Sequence, residues 1–246
     1  MGGTSVTVDP EEIGRFARAA ESWWDPEGSL RALHRLNPVR LAFIRCELCR
    51  HFGRDRRALR PFEGLTLLDV GCGGGLVAEP MARLGFAVTG IDAGAAAIAV
   101  ARRHAETSGL LIDYRLATAE SLAESGAAFD AVLALEVIEH VADPEALMAA
   151  VGALVRPGGA FIGATINRTA RAFALAVVGA EYVLGWLPRG THDWRRFLRP
   201  SEFVLGLRRH RLYATRLVGI GYDLRSGAWS LSRDLAVNYM LTAEKR

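Results

Sequence analysis

The sequence predicts an α/β fold, in which helices cover a doubly wound and mostly parallel sheet. From Leu65 onward, short apolar runs alternate with helical stretches, which is the pattern of βαβ units. The first apolar run leads directly into a glycine-rich stretch from Gly71 to Gly75. The chain has 246 residues, 50% of them hydrophobic, which suits one domain of this class.

Each element of this fold has its own segment of sequence. The parallel strands are predicted near 65–70, 87–91, 112–116, 131–135 and 160–166, and the helices near 76–84, 95–108, 119–124 and 144–155. Arg156-Pro157-Gly158-Gly159 predicts a turn. Two β-like stretches, 212–220 and 235–243, join around Ser226-Gly227 and predict an antiparallel hairpin that completes the sheet.

Two helical patterns precede the sheet. Asp9-Pro10-Glu11-Glu12 combines an N-cap, a proline at the first helical position and a capping box. A second helical pattern begins near Pro38. We therefore expect one domain over 1–246, with an N-terminal helical cap over 1–60 and an apolar helix or lid inserted over 168–200.

Charge and cysteine content narrow the functional classes. The 30 basic and 27 acidic residues nearly cancel and no lysine tract concentrates the excess, so nucleic-acid binding is not implied. The first residues lack the features of a secretory signal, which predicts a cytoplasmic location. Cys46 and Cys49 form a C-x-x-C without a second pair, which favours reduced thiols over a zinc site.

The glycine-rich stretch predicts a cofactor site. Glycines at the carboxyl end of the first strand let the backbone approach a ligand closely, with Gly71 and Gly73 nearest to it. Asp92 ends the second strand, where a carboxylate can accept hydrogen bonds from ribose hydroxyls. Gly73-x-Gly75-x-x-Ala78 also fits a dinucleotide fingerprint. Asp69 argues against that alternative, because a carboxylate suits the cationic end of S-adenosylmethionine better than a pyrophosphate.

Two acids and a histidine follow the fourth predicted strand. Glu136, Glu139 and His140 have the spacing i, i+3, i+4, so a helix here would place all three on one face. Such a set could hold a divalent ion such as Mg²⁺. The alternative is that they close a pocket by hydrogen bonds without metal.

An apolar stretch covers 172–187 and has arginines at 168, 171 and 189. Its 16 residues are short for a bilayer span, which needs about 20. The stretch favours a helix at a membrane surface or a lid over an apolar substrate, and a buried connecting helix is the alternative.

The segment Leu67-Leu68-Asp69-Val70-Gly71-Cys72-Gly73-Gly74-Gly75 resembles the first motif of the class I methyltransferases, and Asp92 matches their acid on the second strand. Further segments are similar to the bacterial ubiquinone-biosynthesis O-methyltransferases. These segments are Ser22-Trp23-Trp24-Asp25, Leu33 to Leu41, Glu136 to His140, Val177 to Tyr182, Gly190 to Trp194 and Val237-Asn238-Tyr239-Met240. The resemblance runs from about residue 8 to the end.

The resemblance implies a Rossmann-like methyltransferase sheet and O-methylation of polyprenylated catechols at two steps, on 2-polyprenyl-6-hydroxyphenol and on 3-demethylubiquinol. It places the contacts with S-adenosylmethionine at Arg40, Gly71, Asp92 and Leu135. It also implies catalytic roles, and a divalent ion, at Glu136, Glu139 and His140. Because a phenol ionises near pH 10, either His140 as general base or a bound Mg²⁺ would have to produce the phenolate.

A prenylated catechol or quinol resides in the membrane, so the resemblance also implies peripheral association with the inner membrane through 172–187. Membership of a ubiquinone-biosynthesis complex is a further expectation. Two departures from the family are a longer basic segment from Arg50 to Glu63 and Leu135 in place of a methionine. Three alternatives stay open at this point: a nicotinamide oxidoreductase, a membrane-surface binding module without catalysis, and a C-methylating relative.

Overall fold

A computed structural model describes residues 14, 22–28, 30–175, 193–223 and 227–246 of the chain. The helix predicted after Asp9-Pro10 lies almost entirely outside these residues, and so does the apolar stretch beyond Leu175. The division into a cap over 1–60 and an insertion over 168–200 stays a prediction.

The described residues form one sheet of eight strands in the order β3-β2-β1-β4-β5-β8-β6-β7. The strands from β1 to β5 pair in parallel, whereas β8 pairs antiparallel with both β5 and β6, and β7 pairs antiparallel with β6. The strands are β1 Thr66–Val70, β2 Ala87–Asp92, β3 Asp113–Leu116, β4 Phe129–Leu135, β5 Val155–Ile166, β6 Leu212–Asp223, β7 Ala228–Ser232 and β8 Asn238–Lys245.

Helices lie on both faces of this sheet. They are α1 Arg31–His51, α2 Ala78–Arg83, α3 Ala95–Thr107, α4 Ala119–Glu124, α5 Pro144–Leu154 and α6 Pro200–Arg209, with short helical turns at Ala170–Ala172 and Trp194–Arg196. The start of α5 follows from its sequence, because the Asp143 carboxylate accepts the N–H groups of Glu145 and Ala146 and Pro144 opens the helix.

Successive residues of the central strands point to opposite faces of the sheet and belong to two separate hydrophobic cores. Leu67 and Leu133 point to the face covered by α1, α2 and α3, whereas Leu68 and Val132 point to the face covered by α5 and α6. The chain crosses from β1 to β2 on one side and from β4 to β5 on the other, so the strand order reverses between β1 and β4. Ligands of open α/β sheets bind at such a switch point, beyond the carboxyl ends of the strands.

The doubly wound fold class is confirmed, and the predicted parallel strands and their helices occur with ends shifted by a few residues. Two predictions were wrong. The helix expected near Pro38 begins at Arg31 and contains the proline, because residues on both sides of it, such as Leu36 and Phe43, are buried on one face. The residues predicted as a turn, Arg156 to Gly159, lie within the bounds of β5 but interrupt its pairing with β4, which passes from Val155 to Ala160, and Gly158 has a turn-like φ of 74°.

The tail also differs from the prediction. The stretches near 212–220 and 235–243 do pair with each other, but the strand that forms a hairpin with β6 is β7, which was not predicted. Strand β8 then inserts between β5 and β6. Among the described residues, no helix is both long and apolar enough to cross a membrane.

Candidate active site

The glycine loop after β1 has the geometry that its sequence predicts. Gly71 and Gly73 have φ angles of 66° and 53°, in the left-handed region that favours glycine. A Cβ at Gly71 would also lie 2.5 Å from Cγ2 of Val137, so a side chain there would collide with the loop after β4. The first glycine therefore lets these two loops meet at the switch point.

Asp92, at the end of β2, binds the glycine loop to its own strand. Its Oδ2 accepts the N–H of Gly73 at 3.0 Å, and its Oδ1 accepts the N–H of Gly94 at 2.7 Å. Burial raises the pKa of Asp92, although these two hydrogen bonds oppose that effect. An ionised carboxylate has about four acceptor sites, so Asp92 keeps acceptor capacity for a ligand.

Asp69 lies beneath the loop and is only 3% exposed. Its Oδ2 has no hydrogen-bond partner among the described residues. Burial, followed by repulsion from Asp92, raises the pKa of Asp69 to about 7, and a hydrogen bond from the backbone of Ala78 offsets part of this rise. A positive charge placed nearby would therefore stabilise the ionised form of Asp69.

Helix α1 brings Arg40 against the loop after β4, where its Nη2 forms an ion pair with Oε1 of Glu136. Arg40 is 4% exposed, and its Nε–H has no partner within the described part of the chain. Glu136 has a φ of 54°, which costs a non-glycine residue on the order of 1 kcal/mol. The ion pair with Arg40 thus stabilises the strained Glu136 at the carboxyl end of β4, next to the switch point.

Glu139 is buried one turn further on. Its Oε2 accepts the Thr165 hydroxyl at 2.9 Å, whereas its Oε1 has no hydrogen-bond partner among the described residues. Burial, and next the repulsion from Glu136, raise the pKa of Glu139 well above its ordinary value. The raised pKa favours the neutral acid form.

The three residues predicted as metal ligands do not share a helical face. The chain forms a turn over 136–140, because a left-handed Glu136 cannot continue into a right-handed helix. His140 is half-buried, and its backbone N–H donates to the carbonyl of Val137 at 2.9 Å. The part of the chain that the structure describes contains no group of three or more His, Cys, Asp or Glu side chains that could hold a metal. The divalent ion stays a prediction.

Leu135, the last residue of β4, is partly exposed beside these groups, so its predicted adenosine contact also stays a prediction.

Sequence reasoning gave no role to several residues that contact the glycine loop. The Trp24 Nε1–H donates to the carbonyl of Gly74 at 2.9 Å, and the Asn37 Nδ2–H donates to that of Leu76 at 2.8 Å. One signal was available, since His34, Asn37 and Arg40 recur every three residues on α1 and so lie near one face.

An open α/β sheet with this loop and with an acid ending β2 fits both dinucleotide-binding proteins and the class I S-adenosylmethionine-dependent methyltransferases, and the buried Asp69 favours the methyltransferases. Residues 68–163 match a family model described as a methyltransferase domain. Magnesium protoporphyrin IX methyltransferase from Synechocystis PCC 6803 with bound S-adenosylhomocysteine has the same fold, at a TM-score of 0.67 and 17% identity over 97% of this chain and 100% of that one. A Methanosarcina mazei S-adenosylmethionine-dependent methyltransferase gives a TM-score of 0.57 at 22% identity over 74% and 93%.

Similarity to curated relatives shows which methyltransferase family the chain belongs to. The ubiquinone biosynthesis O-methyltransferase of Paramagnetospirillum magneticum is 57% identical over 97% of this chain and 96% of its own. Those of a Methylobacterium strain and of Parvibaculum lavamentivorans are both 54% identical, over 98% and 97% of this chain and 97% and 94% of their own. The chain belongs to the ubiquinone biosynthesis O-methyltransferase family and is an S-adenosylmethionine-dependent O-methyltransferase. This membership decides against the nicotinamide oxidoreductase, the binding module and the C-methylating relative.

Proposed function

We propose that this enzyme methylates a hydroxyl of a polyprenylated catechol or quinol, on 2-polyprenyl-6-hydroxyphenol and on 3-demethylubiquinol. Near-full-length likeness to the curated relatives supports the substrate class. The observation that carries the reaction is that Arg40 and the loop after β4 meet beside the glycine loop, so buried acids line the switch point. The crevice therefore offers a cofactor site next to groups that can manage a hydroxyl proton.

The residues at the switch point fit S-adenosylmethionine, which supplies a methyl group on a sulfonium. Asp92 would accept hydrogen bonds from the ribose hydroxyls, and Gly71 and Gly73 would allow close approach of the backbone. The cationic methionine end would meet Asp69, whose Oδ2 has no partner among the described residues. The buried Nε–H of Arg40 is a donor suited to the cofactor's carboxylate.

Removal of the hydroxyl proton is the main chemical task, because a phenolate is a much better nucleophile than a phenol and the phenol pKa lies near 10. Glu139 is buried and its Oε2 already accepts the Thr165 hydroxyl, and Glu136 is neutralised by Arg40. We therefore assign the base to His140, with Glu136 and Glu139 as the groups that shape its side of the crevice.

A divalent ion does not fit the side chains as they are arranged. Glu136 would have to exchange the Arg40 guanidinium for the ion, and Glu139 is buried with its Oε2 on the Thr165 hydroxyl. No step of the proposed reaction is routed through a metal.

The second part of the proposal is that the enzyme works at the surface of the inner membrane, where a prenylated substrate resides. Phe173, Leu175 and Trp194 are 45%, 51% and 39% exposed, and Arg171 and Arg195 are exposed beside them in the sequence. The Trp194 Nε1–H donates to the carbonyl of Thr169 at 3.2 Å, so these two stretches of chain meet. Exposed apolar side chains with basic neighbours suit an anionic lipid surface. Membership of a ubiquinone-biosynthesis complex stays a prediction.

The reaction is tested by methyl transfer from labelled S-adenosylmethionine to a short-chain prenylated catechol, with the product identified by mass spectrometry. We expect a methoxy product, and His140→Ala should lower kcat by about 100-fold or more while cofactor binding is retained. A labelled carbon on the ring, or full turnover of His140→Ala, would contradict the assignment.

The membrane part is tested by flotation with liposomes that contain anionic lipid. Phe173→Glu and Leu175→Glu should each weaken association. Leu111→Glu is the matched control, because Leu111 is 97% exposed but precedes β3, an edge strand, whereas Phe173 and Leu175 follow the inner strand β5. Equal flotation of all three variants and the wild type would refute the membrane face.

A further inference from the structure

The indole of Trp23 lies flat across two glycines of the cofactor loop. A side chain at Gly73 would overlap the six-membered ring of Trp23, and one at Gly74 would overlap its five-membered ring. Trp23 is 7% exposed and packs in a small cluster with Leu30 and Ala97. The ring therefore fills the space between the loop and α3, which follows Asp92.

Hydrogen bonds fix Trp23 and its neighbour in this place. The Nε2–H of His34, on α1, donates to the carbonyl of Trp23 at 2.9 Å, since a carbonyl can only accept. Trp24 donates its own indole N–H to Gly74. The indole of Trp24 also stacks face to face on His104 of α3, with ring centroids 3.5 Å apart and an interplanar angle of 3°.

His104 also forms a hydrogen bond with a buried carboxylate. Its Nδ1 lies 2.6 Å from Oε1 of Glu79 on α2, and Glu79 is 1% exposed. The two tryptophans are thus bound to α1, to α3 and to the glycine loop at once. No bond of this set depends on a ligand, so the arrangement is part of the protein's own packing.

We propose that Trp23 is a positioning residue for S-adenosylmethionine: clamped on Gly73 and Gly74, its indole holds the cofactor loop in its binding shape and closes one side of the crevice to water. The proposal rests on the cofactor that defines this class of enzyme. A loop with several glycines has many backbone conformations available, so ordering it before binding removes an entropic cost that the cofactor would otherwise meet.

The packing of Trp23 on Gly73 and Gly74 gives a second reason for glycine at these positions. Gly73 donates its N–H to Asp92 on one side and receives the indole against its α-carbon on another. The loop is therefore fixed by β2 through Asp92 and by the N-terminal segment through Trp23. Loss of the indole leaves the Asp92 contact in place but removes the packing on Gly74, where the three atoms nearest to an added Cβ all belong to Trp23.

The test compares Trp23→Ala, the conservative Trp23→Phe and the control Trp229→Ala. Trp229 is on β7, at the far edge of the sheet, where it contacts Tyr222 at a centroid distance of 5.1 Å. Calorimetry with S-adenosylhomocysteine, KM for S-adenosylmethionine, kcat, and hydrogen exchange of the peptide 71–76 are measured for each. Circular dichroism establishes that each variant is folded.

We expect Trp23→Ala to raise both the Kd and the KM by about tenfold or more, with kcat at saturating cofactor changed less than about threefold. Exchange of the peptide 71–76 should accelerate in Trp23→Ala, recover largely in Trp23→Phe and match the wild type in Trp229→Ala. A merely structural role would lower the overall stability of Trp23→Ala without a selective change in the exchange of the peptide 71–76 or in the Kd. Unchanged binding and exchange in a folded Trp23→Ala would overturn the proposal, and tighter binding would do so too, because the indole would then compete with the cofactor.

If Trp23→Ala does not fold, Trp24→Phe tests whether the tryptophan contacts hold the cofactor loop in its binding shape. It removes the N–H that reaches Gly74 but keeps an aromatic ring against His104. We expect faster exchange of the peptide 71–76 and a rise in Kd of about threefold. Wild-type values for both would overturn the proposal.

Discussion

Asp69 should make the affinity for S-adenosylmethionine depend on pH. Its pKa is raised to about 7 because the carboxyl is buried and lies near Asp92. The methionine end of the cofactor is cationic, so it binds the ionised carboxylate, and a protonated Asp69 must first lose its proton. Binding is therefore coupled to release of a proton.

The size of the effect follows from the pKa. At pH 7 about half of the Asp69 side chains are ionised, and at pH 6 about a tenth are. Affinity should thus fall about fivefold from pH 7 to pH 6 and about tenfold more from pH 6 to pH 5, and binding at pH 7 should release about half a proton. Above about pH 8 the affinity should be constant.

Isothermal titration calorimetry in buffers with different ionisation enthalpies measures this proton directly. Asp69→Asn should abolish the release at pH 7 and flatten the profile. Asp130→Asn is the control, because the pKa of Asp130 is lowered by its bonds to Thr66 and Arg156, at the amino-terminal edge of the sheet. A wild type that releases no proton at pH 7, or an Asp69→Asn variant that still releases it, would refute the reasoning.

Four further outcomes are expected. Asp92→Ala should weaken cofactor binding by about 100-fold or more in calorimetry, since it removes the ribose acceptor and the link to Gly73; near-normal binding would remove Asp92 from the site. Arg40→Met should lower the free energy of unfolding in urea by about 3 kcal/mol, because it removes the guanidinium that pairs with the Glu136 carboxylate. The double variant Arg40→Met/Glu136→Gln should recover most of this loss, and no recovery would contradict the pairing. Chelation should leave turnover unchanged, whereas a loss that Mg²⁺ restores would mean that Glu136 exchanges Arg40 for the ion. Because the pKa of Asp69 is higher in the folded than in the unfolded protein, its contribution to stability is fully present below about pH 4 and is lost as the pH rises through about 7, by up to roughly 4 kcal/mol. Asp69→Asn should therefore be more stable than the wild type at pH 8 in denaturation series. Equal stability of the two proteins would contradict the burial argument.

Local sequence patterns were sufficient for the parallel half of the sheet. The strands β1, β2, β4 and β5 each contain an apolar run next to a helix, whereas β3 (Asp113–Leu116) is short and half charged. The cofactor loop was predictable for the same reason, since its strand, its glycines and Asp92 occur in one βαβ unit.

Other features depend on contacts between distant segments. Strand β8 takes a place between β5 and β6, which no short-range pattern indicates. Arg40 meets Glu136 across 96 positions, and Trp24 meets Gly74 across 50. The left-handed conformation of Glu136 was also not predictable from the sequence, because its ion-pair partner Arg40 lies on α1, far away along the chain.

The spacing i, i+3, i+4 in Glu136, Glu139 and His140 predicts one shared helical face, which the chain does not form. The residues do lie at the carboxyl end of β4, but the chain turns there, Arg40 pairs with Glu136, and Glu139 is buried close enough to Glu136 for the two carboxyl groups to repel each other.

The glycines of the loop after β1 serve two purposes, close approach of a ligand and close packing within the protein, and the sequence alone does not distinguish them. Glycines beside a first strand are usually explained by the ligand, which needs the backbone to come close. In this protein Val137 already occupies the space beside Gly71, and Trp23 occupies the space beside Gly73 and Gly74. These glycines are thus also required by the packing of the protein itself. A substitution there would disturb the N-terminal segment and the loop after β4 together, so its effect on cofactor affinity should be separated from its effect on folding. The residues that carry the cofactor site are, for this reason, a network of contacts between α1, β1 and β4 rather than a motif in one loop.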